Sequence, residues 1–310
     1  MILPTTPATI KADLVKLQPG DTLTLGVNRY PQIVLKDRDF GASPLVIDAT
    51  GATLDGLVLQ NVKGLTVEGG DWRTPKDDWR GAMMASKCAD LTFHRSMIHD
   101  TRLNAGFTFN DCDRVTVKTF YADNTKVALT FLRCTDVLVT GWQILNAAWD
   151  GINGISCERV KVTLGCFAGP APTDTHHPDA IQFWTEYKTV AGVKTYGALC
   201  TDVEVCENLI YGWVQGITNF GRGARFNIHD NTVIVGMGHG IALGPLVSDS
   251  EVADNIVRSI PDRTNQAVIN VGTTPQWGNY IGGTEKKAAI QQGPRVTPSP
   301  TTSPFTGAPK

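Results

Sequence analysis

Four residues with acid, base or amide chemistry stand at one recurring place in this chain. Asp150, Asp179, Gln215 and His239 each precede a small residue and then an apolar one, in DGI, DAI, QGI and HGI. The same pattern elsewhere reads AGF, VAL and QAV, with Ala105, Val127 and Gln266 at the leading position. The ladder is therefore apolar early and becomes Asp, Asp, Gln, His midway. Two carboxylates placed side by side cannot both ionise freely, so one takes up a proton and the pair becomes an acid beside a base. Such a pair cleaves glycosidic bonds, at about 5–5.5 Å separation for retention and roughly 6.5–9.5 Å for inversion. His239 can tune a carboxylate or hold a hydroxyl, and Gln215 both donates and accepts. The stretch DTHHPDAIQFW, from Asp174 to Trp184, adds His177 two residues before Asp179. Asn153, Gln182 and Thr218 fall on alternate positions beside the ladder and suit a polyol. Trp184 and Phe220 alternate with them and offer flat faces for a sugar ring. A lone Asp on an outer strand is ordinarily just solvated, and it is the Asp150–Asp179 adjacency that points to function. His176 and His177 with Asp174 are read as loop residues, and no metal site is expected.

The elements that would position these residues are found through the cysteines. Cys88, Cys112, Cys134, Cys157 and Cys200 each open a strand-like alternation: CADLTF, CDRVTV, CTDVLV, CERVKV and CTDVEV. Their spacings of 24, 22, 23 and 43 residues are one period in the low twenties, the last with an insertion. Strands at that period with no helical pattern between them predict an all-β solenoid, in which one coil cannot bury its apolar face and stacked coils can. One wall of the core is predicted to hold Phe107, Leu129, Ile152, Ile181, Ile217, Ile241 and Val268. A second wall holds Val115, Val137, Val160, Val203 and Phe226. The cysteines stack as small buried hydrophobes. Asn208, Asn231 and Asn255 recur at 23 and 24 residues and predict an asparagine ladder at one corner. ATIKADLVKL, residues 8–17, has helical apolar spacing at 10, 14 and 17 and is expected to cap the first coil, covering an edge that would otherwise pair. The 185–199 insertion is expected to form a loop or hairpin over the ladder face. Residues 1–290 read as one domain, and 291–310 as a Pro/Thr/Ser-rich tail.

Composition narrows the partners. The 310 residues are 42% hydrophobic and 19% charged with a formal charge of −2, so no basic footprint for nucleic acid is present. No apolar run approaches the ~18 residues of a membrane span. The N-terminus shows no secretory signal, and the seven cysteines include no CxxC pair, against both a disulfide framework and a zinc site. Folding in a reducing cytoplasm is expected, with a place of action in a phage virion or outside the cell by a non-classical route.

This pattern resembles the right-handed parallel β-helix superfamily of pectate lyases, polygalacturonases, chondroitinase- and alginate-lyase-like enzymes and phage tailspikes. ADLVKLQPGDTLTL is similar to the helix cap and first strand of many such proteins. Polygalacturonase-type glycoside hydrolases carry Asn-Thr-Asp-Gly, Asp-Asp and Gly-His-Gly on three consecutive coils. His-Pro-Asp-Ala at 177–180 resembles the first, and Gly-His-Gly at 238–240 matches the third. Val214-Gln215 stands where that family has Asp-Asp, so Asp179 and His239 carry over and the family's general acid does not. The resemblance implies a single-stranded right-handed parallel β-helix acting on polysaccharide. The expected catalytic residues are Asp150, Asp179 and His239; the expected substrate contacts are His177, Gln182, Trp184, Gln215, Asn153 and Phe220. A hydrolase of this kind needs no cofactor. Two rivals remain open: a polysaccharide lyase with Ca²⁺ held by Asp150 and Asp179 and with Lys126 or His239 as base, and a non-catalytic glycan-binding spike. A homotrimer is compatible with the tailspike resemblance.

Overall fold

The computed structural model describes residues 1–73, 81–99, 104–169, 178–190, 193–260 and 268–282. Asp174, His176, His177, Gln266 and the boundary and tail from residue 290 onward lie outside the described residues.

The chain winds into about ten coils of parallel strands, with one short helix near the N-terminus. A typical coil contributes three strands, Phe107–Asn110, Asp113–Lys118 and Tyr121–Asp123. Each pairs in parallel with its counterpart in the next coil, Leu129–Leu132, Thr135–Thr140 and Gln143–Leu145. The strand side-chain period of two then sends alternate residues into one continuous core. Phe107, Leu129, Ile152, Ile181, Ile217 and Ile241 stack in register and are buried, as predicted. So do Val115, Val137, Val160, Val203 and Phe226. The last position of the first wall differs: Ile241 pairs with Ile269 rather than Val268, because the register shifts between His239 and Ile241. Val268 pairs instead with His239.

The corners are as repetitive as the walls. Cys88, Cys112, Cys134, Cys157 and Cys200 are buried free thiols, and burial pushes Cys200 up to about 12. Two residues after each, the backbone turns through the left-handed region at Asp90, Arg114, Asp136, Arg159 and Asp202, and again at Arg225 and Asp249. That series alternates in charge from coil to coil. Arg114 lies 2.5 Å from Asp90, Arg159 2.6 Å from Asp136 and Arg225 2.6 Å from Asp202. Exposed pairs of this kind each contribute only about 0–1 kcal/mol, but a network of them favours one order of coils. At another corner Asn208 donates to Asn231 Oδ1 at 3.0 Å, Asn231 to Asn255 Oδ1 at 2.9 Å, and Asn255 to Asn279 Oδ1 at 3.0 Å. Asn279 extends the predicted ladder by one rung.

The helix Ile10–Lys16 covers the first coil with Ile10 and Leu14, and Leu17 is buried just beyond it. The Arg38 guanidinium donates to the carbonyls of Leu14 and Leu17, satisfying acceptors that a helix C-terminus leaves open. The insertion forms an antiparallel hairpin, Tyr187–Val190 with Val193–Tyr196. Among the described residues, no helix is long and apolar enough to cross a membrane.

Two outcomes follow from these columns. The five ladder cysteines should label slowly with a thiol reagent in the native protein and fully after unfolding; fast native labelling of all five contradicts the register. Asn231→Ala should cost about 1–3 kcal/mol in a denaturant titration, because it strands buried partners above and below it.

Candidate functional site

Asp150 and Asp179 sit at the start of adjacent front strands, Ile152–Ile155 and Asp179–Trp184. Gly151 N–H donates to the Asp179 carbonyl at 2.9 Å, and Asp179 N–H donates to Asp150 Oδ1 at 2.9 Å. The Asp150 carboxylate is thus turned onto the next coil, half-buried. Each carboxylate is also tied to the outward residue three positions on: Asn153 Nδ2 donates to Asp150 Oδ2 at 3.1 Å, and Gln182 Nε2 to Asp179 Oδ2 at 3.1 Å. From the next coil, Thr218 donates its hydroxyl to Asp179 Oδ1 at 2.6 Å. The small residue between ladder and core is required by close approach. A Cβ on Gly151 would lie 2.4 Å from the Ala180 carbonyl oxygen, and one on Gly216 would lie 2.0 Å from that of Gly240.

The face is less open than the sequence suggests. Asp179 is 0% exposed, Thr218 is buried, and Gln215 is only 8% exposed. The cause is the tight rise between coils together with the side chains of Gln182 and Thr218, which close over the carboxylate. His239 opens the strand His239–Leu243 and is not a turn residue. Its ring meets Phe220 edge-on at 5.1 Å, and Phe220 remains 48% exposed. Trp184 is half-buried, in register with Ile155 of the preceding coil. The base of the hairpin anchors beside this row, where Glu186 N–H donates to Ser156 and Arg133 donates to Glu186 at 3.0 Å. Lys126 lies over the ring of Trp149, the residue before Asp150, at 3.8 Å. His177 lies outside the described residues; all the other expected site residues fall on this one face.

Among the described residues, three buried polar atoms on the face have no hydrogen-bond partner: Asn153 Oδ1, Gln215 Oε1 and His239 Nδ1. Buried polar groups are ordinarily paired, so a cluster of exceptions calls for a missing partner. They lie on three strands along the ladder, Asn153 on the coil of Asp150, Gln215 one coil beyond Asp179 and His239 two coils beyond it. Each can pair with a hydroxyl once the side chains that cover it move aside: an amide oxygen accepts, and an imidazole nitrogen accepts or donates according to tautomer. The four carboxylate oxygens, in contrast, already accept from N–H or O–H donors. A Ca²⁺, which takes six to eight oxygens, would have to displace those donors. The part Thr218 plays was not legible. Its sequence position suits a polyol contact, and only the register across the long 181–217 coil shows that it holds Asp179.

No protein-family profile and no curated protein sequence matches the chain. Solved structures do. An endo-xylogalacturonan hydrolase from Aspergillus tubingensis superposes with a TM-score of 0.61 at 12% identity, over 92% of this chain and 93% of that one. PfbA, a surface adhesin of Streptococcus pneumoniae, gives 0.60 at 10% identity, over 93% and 92%. The Dettilon tailspike protein gives 0.57 at 14% identity, over 88% of this chain and 56% of the tailspike. The fold is that of the pectate lyase-like right-handed parallel β-helix proteins.

Proposed function

We propose that this protein is a glycoside hydrolase acting on a polysaccharide laid across the front face, with Asp150 and Asp179 as its acid–base pair. The observation that carries this reading is the row of buried atoms without partners among the described residues, Asn153 Oδ1, Gln215 Oε1 and His239 Nδ1, along a ladder that holds two carboxylates on adjacent coils. Sugar hydroxyls supply the missing partners. The carboxylates stand on adjacent strands about 4.8 Å apart, close enough for one to take up a proton and act as acid beside the other once substrate hydroxyls displace the donors that now hold its oxygens. The protonated group gives its proton to the leaving oxygen, and the ionised one acts on the anomeric carbon directly or through water. Gln182 lies over Asp179, and a substrate hydroxyl that takes its place at Oδ2 opens the carboxylate to the bond being cleaved. Trp184 and Phe220 flank the row and stack on neighbouring rings. The hydrolase and the tailspike among the structural neighbours are consistent with a polysaccharide-acting β-helix.

A second reading, a lyase acting by β-elimination on a uronic-acid polymer, rests on Lys126, whose ammonium lies over the ring of Trp149, the residue before Asp150. The carboxylate-rich ladder repels a polyanion, which places it second.

One experiment separates these readings. The protein is incubated with a panel of polysaccharides while new reducing ends and the ultraviolet absorbance of unsaturated uronate are followed together. Reducing ends alone are expected; both signals together indicate elimination, and neither on a polymer that binds indicates a binder. On a cleaved substrate, Asp150→Asn and Asp179→Asn should each lower turnover about 10²- to 10⁴-fold, and the double variant should be little worse than either. Near-wild-type turnover in Asp150→Asn removes it from the pair. Trp184→Ala should weaken glycan binding about tenfold with little change in melting temperature. A stability loss of about 3–5 kcal/mol, typical of a buried aromatic, would assign Trp184 to packing instead.

A further inference from the structure

Away from the front face, the sheet formed by the middle strand of each coil carries a second cluster. The strands Cys200–Cys206 and Arg222–His229 pair in parallel, with Cys206 opposite His229. Glu204, two residues before Cys206, projects from the same side, so an acid, a thiol and an imidazole meet on two adjacent coils. Their ligand atoms all lie within 4.8 Å of one another. We propose that Glu204, Cys206 and His229 form a binding site for a divalent cation of zinc type, which staples these two coils together.

Two of the three spacings within the cluster match that ion, and the third lies within 4.8 Å. With Zn–N and Zn–O near 2.0–2.1 Å and Zn–S near 2.3 Å, tetrahedral ligands stand about 3.3 Å apart for N and O and about 3.5 Å for S and O. Here His229 Nε2 lies 3.4 Å from Glu204 Oε1, and Cys206 Sγ lies 3.6 Å from the same oxygen. The outer contacts agree independently. His229 Nδ1 is bonded to Asp230 Oδ2 at 2.8 Å, so in the neutral ring that a metal requires the proton stays on Nδ1 and Nε2, which faces the cluster, becomes the ligand atom. A carboxylate behind a ligating histidine is the usual second contact in zinc sites, where it orients the ring and strengthens it as a donor. Cys206 is buried and lies 3.4 Å from Thr163 Oγ1 on the preceding coil. The Glu204 and His229 side chains are both partly exposed, so the fourth position opens to water.

Lys161 is the competing feature. Its ammonium lies 2.9 Å from Glu204 Oε1 and occupies part of the charge balance that a metal would take over. Glu204 Oε2 remains to hold it when Oε1 turns to the metal. The absence of a CxxC pair excludes only ligands drawn from one turn of chain. This set combines a Glu-x-Cys strand with a histidine one coil later, which local spacing does not reveal.

The test is a Co²⁺ titration of the chelator-treated full chain, followed by displacement with Zn²⁺, reading thiolate-to-cobalt charge-transfer absorption. The wild type and Cys166→Ser, which alters another cysteine outside the ladder, should each bind one equivalent with that absorption. Cys206→Ser should lose the absorption, and His229→Gln should bind at least tenfold more weakly. No charge-transfer band at one equivalent in the wild type, or a band that survives in Cys206→Ser, overturns the proposal. Should Cys206→Ser fail to fold, unchanged Zn²⁺ affinity in His229→Gln overturns it equally.

Discussion

Parallel strands stacked at about 4.8 Å force every residue of one coil to lie against its counterpart in the next. At the corner leading into the front strand the approach is closer still, and the N–H of each small residue reaches the carbonyl of the following coil. There is no room there for an added Cβ on Gly106, Gly151 or Gly216. This contact sets the rise of the helix, and the rise makes like positions neighbours. Whatever the sequence repeats, the fold turns into a column.

The columns differ because their environments differ. Inside, apolar residues and thiols need no partner beyond packing, as in the parallel stacking of Phe109 on Phe131 at 5.0 Å. At the asparagine corner each amide satisfies the one above it, since a buried amide left alone is costly. At the exposed turn, acids and arginines alternate, so neighbours attract rather than repel. The front ladder breaks this economy. Two acids stand adjacent, held by donors from their own coil and the next, and along the same ladder three buried polar atoms have no partner among the described residues. Single unpartnered atoms occur elsewhere, at Asp71, Thr125, Trp142 and Asn219, whereas here three fall on one ladder that carries an acid pair, and the proposed function completes them with sugar hydroxyls.

Much of the fold was legible for the same reason. The phase of the cysteines located both core walls and the face on which Asp150, Asp179, Gln215 and His239 meet. Val268 was misplaced by one residue because the shift between His239 and Ile241 follows no repeat. The Asp–Arg alternation from Asp90 to Asp249 was present in the sequence but reads locally as ordinary polar turn residues. The burial of Asp179 was not legible, since alternation tells which side a residue faces and not what closes over it. Cys206 lies outside the cysteine phase, so its meeting with His229 depended on pairing across a coil.

The most direct measurement of the central claim is a crystal structure of the Asp150→Asn variant with an oligosaccharide from a polymer that the wild-type protein cleaves or binds. Sugar density is expected along Asn153, Gln182 and Trp184, with ring hydroxyls within hydrogen-bond distance of Asn153 Oδ1, Gln215 Oε1 and His239 Nδ1. A sugar bound on another face, with ordered waters satisfying those three atoms, would contradict it.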